Sequence, residues 1–267
     1  MSKSKIEWTE RTWNPVTGCT RVSPGCDNCY AERMSRRLQY LPKYEGIIAD
    51  GRWTGEVRCH EEVLQEPYTW RKPTVCFVCS MSDLFHSKVP WEFIHKVFNV
   101  MADNPQHIFQ VLTKRPGRMA YFGEMGGWIG AEKNVWAGTS VESRKYLPRI
   151  KLLAEVPAQV RFVSFEPLLE ALGDIGGWLK PLHDSESSPD LPFHWAIVGA
   201  ESGPGSRPME ESWVRSIRDQ CVKAGVKFFY KQNVVDGKKV SLPFLDGRVW
   251  KEVPLPSSQR GICRWEE

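Results

Sequence analysis

Three of the chain's eight cysteines fall within eleven residues, as Cys19, Cys26 and Cys29, spaced C-x6-C-x2-C. Pro15, Gly18, Pro24 and Gly25 surround them and make residues 14–32 a loop. A glycine-containing loop can curl inward, so three thiolates can reach one metal centre. A structural zinc site closes its shell with four ligands. A four-iron cluster held by three cysteines instead keeps one iron open for another molecule, which a cluster needs if it is to do chemistry beyond electron transfer. Cys29 stands where a helix-like stretch, Tyr30 to Leu41, begins. Free backbone N–H groups at such a start favour a thiolate or an anionic cluster.

Other chemistries fit parts of the loop. A zinc knuckle would draw a fourth ligand from Cys59 or His60. Cys26 and Cys29 alone would make a redox pair but leave Cys19 without a role. The remaining cysteines are scattered and no secretory leader is visible, so a disulfide framework is not expected.

The loop resembles the three-cysteine loop of radical S-adenosylmethionine (SAM) enzymes. It departs from their usual C-x3-C-x2-C in its first gap, and Asn28, not an aromatic residue, precedes the last cysteine. More of the chain resembles a phage-associated family of three-cysteine-motif proteins, related in pattern to radical SAM barrels such as spore photoproduct lyase. That resemblance is carried by Trp13 to Cys19, Ser80 to Phe85, Leu112 to Pro116, Gly138 to Glu142, Phe165 to Leu169 and Val198 to Pro204. It implies a [4Fe-4S] cluster on Cys19, Cys26 and Cys29 with SAM on the open iron.

The elements that must position this chemistry follow from periodicity. Thr74–Cys79, Ile108–Leu112, Asn134–Gly138, Val160–Ser164, His194–Val198 and Gly225–Tyr230 are apolar runs with β-prone residues. Tyr30–Leu41, Glu61–Trp70, Trp91–Asp103, Arg118–Glu124, Arg144–Glu155 and Glu211–Ala224 have helical spacing, and Ile6–Trp8 and Val57–Cys59 are expected short strands. In the first helix Ala31, Met34, Leu38 and Leu41 would face inward. Residues 43–55 and 173–192 are expected to be connections. Strands alternating with helices predict an α/β fold, a full or partial (β/α) TIM-like barrel of parallel strands, as one domain over residues 1–267. It carries the N-terminal cysteine-rich loop and an irregular C-terminal extension, residues 233–267. Cys76 and Cys79 look like a metal pair, but three residues apart in a strand they would face opposite ways, and they are expected to be buried structural cysteines.

Polar residues collect where each strand ends: Ser82 and Asp83; Lys114 and Arg115; Thr139, Ser140 and Glu142; Glu166; Glu201 and Ser202; Lys231. Barrel enzymes build their sites at that end, because the loops converge on one mouth. Lys114, Glu166 and Glu201 are the expected catalytic groups. Lys114, Arg115 and Lys231 could pair with a carboxylate. Ser82, Asp83, Thr139, Ser140 and Glu142 could reach ribose hydroxyls, and the glycine-rich turn around Glu201 and Ser202 could approach a cofactor. Ser140, Ser143 and Asp83 could instead cap helices or turns. Asp83, Glu166 and Glu201 around a divalent ion would make a hydrolytic, nuclease-like barrel.

The bulk numbers bound the partners. A hydrophobic share of 41% allows a sizeable core, and a net charge of +4 permits a nucleic-acid partner without requiring one. Arg33, Arg36, Arg37, Lys114, Arg115 and Arg118 would serve it, in repair or modification of a base. An accessory protein is a further expected partner. No apolar run is long enough to span a membrane. A reducing cytoplasm, the expected location, would suit the cluster. The alternative class is a zinc-stabilised, non-catalytic barrel that binds nucleic acid or a protein.

Overall fold

The computed structural model describes Ser4, residues 6–180 and residues 191–255. In chain order it has β1 (Arg11–Trp13), β2 (Val16–Thr17), α1 (Tyr30–Leu38), β3 (Ile48–Ala49), β4 (Arg52–Trp53), β5 (Arg58–Cys59) and β6 (Val75–Val78). Then come α2 (Trp91–Ala102), β7 (Ile108–Thr113), α3 (Pro116–Glu124), β8 (Val135–Ser140), α4 (Arg149–Ala154) and β9 (Arg161–Phe165). The chain continues with β10 (Trp195–Gly199), α5 (Glu211–Lys223), β11 (Lys227–Val235), β12 (Lys238–Ser241), β13 (Phe244–Leu245) and β14 (Arg248–Val249).

Eight strands form one sheet in the order β1-β6-β7-β8-β9-β10-β11-β12. Every pair is parallel except β11 with β12, which is antiparallel. Neighbours in the sheet are therefore neighbours in sequence, and the sheet curls into a half-barrel. Parallel strands need crossovers, and α2, α3, α4 and α5 supply them on the outer face.

Alternation along the strands builds two cores. One set of residues, including Cys76, Val78, Phe109, Val111, Ala137, Val163, Ala196 and Val198, packs outward under the helices. The alternate set, Val75, Phe77, Ile108, Trp136, Phe162, Trp195, Ile197 and Phe229, fills the hollow of the sheet. The Phe162 ring occupies the space beside Gly138, where a Cβ would lie 2.3 Å from a ring carbon.

Trp8 sits at the centre of the inner core. Its ring lies 4.8 Å from that of Phe77, 6.0 Å from Phe162 and 6.3 Å from Trp195. The segment expected as a strand, Ile6–Trp8, is a turn, with Thr9 N donating to Ile6 O. It does not extend the sheet but plugs it. Glu7 Oε1 accepts from Lys239 Nζ and Ser241 Oγ of β12, both at 2.6 Å. Burial pushes the Glu7 pKa up, but these two bonds, with the Lys231 charge and a backbone bond, outweigh it and hold the carboxyl below its usual range.

Other expectations also change. Residues 61–70 form two short 3₁₀ turns, Glu61–Val63 and Pro67–Thr69, because Pro67 interrupts the ladder. Pro148 likewise divides the stretch from Arg144 into a 3₁₀ turn, Arg144–Tyr146, and α4. In α1 the buried side carries Ala31, Glu32 and Ser35, while Met34 and Leu41 are exposed. Glu32 is buried because it accepts from Arg21 Nη2 at 2.6 Å and from Trp53 N at 2.9 Å. Residues 43–55 contain the β3–β4 hairpin. Cys76 and Cys79 share the outer core: β6 ends at Val78, and Cys79, at φ +60°, turns back to the side of Cys76. Residues 233–255 are not irregular: β12, β13 and β14 fold back over β11, and Trp250 packs on Phe228. The remainder of that extension and residues 181–190 lie outside the described residues.

Replacing Trp8 with alanine removes the plug from the inner core. We expect a loss of about 3–5 kcal/mol in unfolding free energy, measured by chemical denaturation. A loss below about 1 kcal/mol would mean that the half-barrel does not depend on it.

Candidate functional site

The strands' C-terminal ends and the cysteine loop enclose a cavity of about 290 Å³. Its floor is apolar: Ile6, Trp8, Phe77 and Leu112. Its far wall carries Lys114 after β7, Ser140 at the end of β8, Ser164 and Glu166 on and after β9, and Lys231 and Gln232 on β11. Gly25, Asn28, Cys29 and Tyr30 close it from the loop, and Ala200, Glu201 and Ser202 from the turn after β10.

Strand alternation explains the selection. Ile108, Gln110, Leu112 and Lys114 share one parity on β7, as do Trp136, Gly138 and Ser140 on β8, and Phe162, Ser164 and Glu166 on β9. These parities face the hollow, so the cavity is the upward continuation of the inner core. Thr113 and Thr139 have the opposite parity. Thr139 Oγ1 donates to Thr113 O at 2.9 Å and is fully buried.

Two clamps hold the cysteine loop over this mouth. The first is centred on Asp83, whose carboxylate accepts from Arg115 Nη1 and Thr113 Oγ1, both at 2.7 Å, from Phe85 N at 3.0 Å and from Lys114 N at 3.2 Å. Arg115 Nη2 reaches onward to Thr20 Oγ1 at 2.7 Å, and its Nη1 lies 3.8 Å from Cys19 Sγ. Asp83 and Arg115 thus spend their bonding capacity on each other and on the loop. Ser82 Oγ adds a bond to Val16 O at 2.8 Å.

The second clamp is centred on Glu201. It accepts from Asn28 Nδ2 at 2.8 Å, and from Arg207 through Nη2 at 2.5 Å and through Nε and the backbone N, both at 3.0 Å. Arg207 Nη2 also donates to Pro24 O at 2.8 Å. Burial raises the Glu201 pKa, but the bonds from Arg207 and Asn28 outweigh that and hold it below the ordinary carboxylate range. Glu142, fully buried, pairs with Arg149 Nη1 at 3.0 Å and underlies Gly25, where a Cβ would meet its side chain at 3.2 Å.

The groups that still face the cavity are Lys114, Ser140, Ser164 and the pair Glu166–Lys231. Lys231 Nζ lies 2.5 Å from Glu166 Oε1, and Gln232 Nε2 lies 3.3 Å from the same oxygen. Lys114 makes no side-chain ion pair with a described residue. Ser202 lines the mouth, and its carbonyl accepts from Arg33. Ser143 begins a 3₁₀ turn without a side-chain capping bond. Sequence reasoning placed Gln232 with Lys231 at a strand end but missed Arg207, Asn28 and Ser164 as site residues. Strand parity alone would have found Ser164, since it stands between inward-facing Phe162 and Glu166.

The three cysteines are free thiols, partly exposed and close enough to feel one another's charge. Burial pushes the Cys19 thiol up to about 12; Asp83 adds to the rise and Arg115 opposes it. Burial also raises Cys29, against the pull of the Glu32 and Ala31 N–H groups of α1 and of the Lys114 charge. Among the described residues no three His, Cys, Asp or Glu side chains gather tightly enough around one point to hold a single metal ion. No described helix is long and apolar enough to cross a membrane.

Fold and site together define an α/β half-barrel protein with a strand-end cavity beneath a doubly clamped cysteine loop. The chain belongs to DUF5131, a family of proteins of unknown function, whose profile matches residues 3–254. No curated protein matches the chain, and no solved structure does.

The first clamp yields two expectations. Arg115→Ala would leave Asp83 buried without its cation, costing about 3–5 kcal/mol of stability. Loosening the loop would also make Cys19 react faster with a thiol reagent, which a purely local loss of stability would not do at low temperature. The second concerns His86, whose Nε2 lies 2.9 Å from Thr20 Oγ1. Burial first, then the Arg115 charge, lowers its pKa from 6.5 to about 4. The unfolded chain therefore binds the extra proton between those values, and stability falls as pH drops from 6.5 to about 4, by about 3 kcal/mol from this group. Thermal unfolding of His86→Gln should show a shallower acid limb; an unchanged slope would show that His86 does not set it.

Proposed function

We propose that this protein is an iron–sulfur enzyme of the radical SAM type on a partial TIM-like barrel. Cys19, Cys26 and Cys29 would each hold one iron of a [4Fe-4S] cluster at the mouth. With SAM on the open iron, such a cluster supplies one-electron cleavage of a carbon–sulfur bond and thereby hydrogen abstraction.

The observation that carries this reading is that Cys29 lines the same cavity as Lys114, Ser140, Glu166, Ser202 and Lys231. The donor set fits a cluster in kind. It is three thiols from one loop, coupled in charge, at the start of α1 and beside the cation of Lys114. Thiols that do not converge on one point would suit a multi-iron cluster rather than a lone ion.

The chain's own residues would do the rest. Lys114 would pair with the SAM carboxylate, and Ser140 and Ser164 would hydrogen-bond its hydroxyls. Glu166 and Lys231, held in one ion pair, would orient a polar group without adding net charge. Trp8, Phe77 and Leu112 would keep water from the floor, which protects reactive species. Glu201 and Asp83 act here as positioning residues, since Glu201 holds Asn28 of the loop and Asp83 holds Arg115, which reaches Thr20; this also argues against the hydrolytic reading, which needs them open to a divalent ion.

Anaerobic reconstitution tests the proposal. We expect about four irons and four sulfides per chain with broad visible absorption. On reduction with SAM present, 5′-deoxyadenosine should form. Alanine at Cys19, Cys26 or Cys29 should abolish the product and lower the iron content. About one zinc per chain with no iron would establish the structural-metal alternative in its place.

A further inference from the structure

The cavity and the helix beside it bear on the substrate, in an inference that rests on the preceding reading. About 290 Å³ lies at the lower end for small-ligand sites, enough for one cofactor-sized molecule. That volume leaves little room for a whole second molecule beside SAM. A reacting group carried by a larger molecule held outside would need only to enter over the rim.

The rim beside the cavity is α1. Its first residue, Tyr30, lines the cavity. From there helical spacing sets Met34 and Arg37 on the same exposed stripe, with Arg33 alongside, and Tyr40 and Leu41 follow the helix end. Tyr30 is 46% exposed, Met34 42% and Tyr40 77%. Large exposed rings and thioethers in line with a cavity are uncommon unless something covers them.

Charge says what kind of occupant this is. α1 carries Arg33, Arg36 and Arg37 against one acidic residue, Glu32, which is buried and neutralised by Arg21. Arg36 approaches Glu32 only to 3.9 Å. Arg33 donates to the carbonyls of Ser202 and Pro204, which leaves its charge uncompensated. Arg37 is exposed and makes no ion pair with a described residue. Guanidinium groups interleaved with exposed rings suit a flexible polyanion that carries stacking faces. Arg115 and Arg118 take no part: the first is bound to Asp83, and the second donates to His86 O and Val89 O and lies over Trp91 at 4.1 Å.

We infer that the stripe Tyr30, Arg33, Met34, Arg37, Tyr40 is a binding track for single-stranded DNA that delivers one nucleotide into the cavity mouth. The stripe's guanidinium groups meet phosphates and its rings meet base faces, contacts that need no 2′-hydroxyl, and DNA is the occupant taken here. A duplex would keep its bases stacked away from the rings and from the cavity.

The test is a fluorescence-anisotropy titration of the full chain with a labelled single-stranded DNA oligonucleotide. RNA and duplex DNA of the same sequence are run beside it, at low and rising salt. The single strand should bind tightest. Arg37→Glu and Tyr40→Ala should each weaken it at least tenfold, and Arg37→Gln less. The slope of log K against log salt should flatten by about 0.7 for every phosphate that a variant no longer neutralises. Lys223→Glu, exposed on α5, should bind as the parent does. Equal melting temperatures would show that the variants remain folded. No binding at low salt, tighter binding of RNA or duplex, or parental binding by both Arg37→Glu and Tyr40→Ala would overturn the inference. So would a track that takes up a protein while the oligonucleotide titration stays flat. Iron is measured on the same samples. Cluster-loaded protein that ignores DNA refutes the track alone, and DNA binding by protein that takes up no iron refutes the cluster alone.

Discussion

The ion pair between Asp83 and Arg115 is the contact on which the rest of the mouth depends. Both side chains are largely removed from water, at 7% and 14% exposure, where either charge alone would be costly. Asp83 reads the ends of β6 and β7 through Phe85, Thr113 and Lys114. Arg115 carries that position across to Thr20, next to Cys19. The carboxylate therefore fixes a loop that the sheet itself cannot hydrogen-bond. Gly18 makes the approach feasible: at φ +89° its Hα side lies against the Glu56 carbonyl, where a Cβ would sit 2.2 Å from the oxygen.

The second clamp works from the opposite side of the mouth, with both charges drawn from one strand end. There the carboxylate, Glu201, and the cation, Arg207, both come from the stretch that follows β10. The loop offers Asn28, the Pro24 carbonyl and the exposed carboxylate of Asp27. The first clamp touches the loop through the neutral Thr20 and Cys19, and the second adds a charged contact, Arg207 Nη1 to Asp27 Oδ2 at 3.5 Å. The thiols are placed without a carboxylate pressed directly against every sulfur, and Cys29 keeps a cation, Lys114, within electrostatic reach.

Much of the architecture could be read from residue patterns, and the reasons for the remainder are specific. The six apolar runs from Thr74 to Tyr230 emerge as β6 to β11 because buried parallel strands are continuous in hydrophobicity. Trp91–Asp103 and Glu211–Ala224 are helices within a residue of their expected ends. Ile6–Trp8 misled because its composition suits a strand, while its use is to fill the hollow with Trp8. Met34 misled because its spacing fits an apolar face, whereas two hydrogen bonds pull Glu32 inward and turn Met34 out. Polar residues at strand ends were visible as a set. Their division into cavity-facing and clamp-forming members was not, because Asp83 and Glu201 acquire their partners Arg115 and Arg207 only through tertiary folding. The second clamp was invisible for the same reason: Arg207 and Asn28 lie 179 positions apart.

The turn that carries Glu7 has a mechanical consequence. A closed barrel has a fixed girth, set by backbone ladders all the way round. In this sheet β1 and β12 are the two ends of the order, and Glu7 joins them through side-chain bonds to Lys239 and Ser241. A seam stitched by side chains can widen or narrow while every ladder stays intact. Glu7 and Lys239 also line the cavity, so that seam is one of its walls, and its width there is set by side chains and not by a ladder.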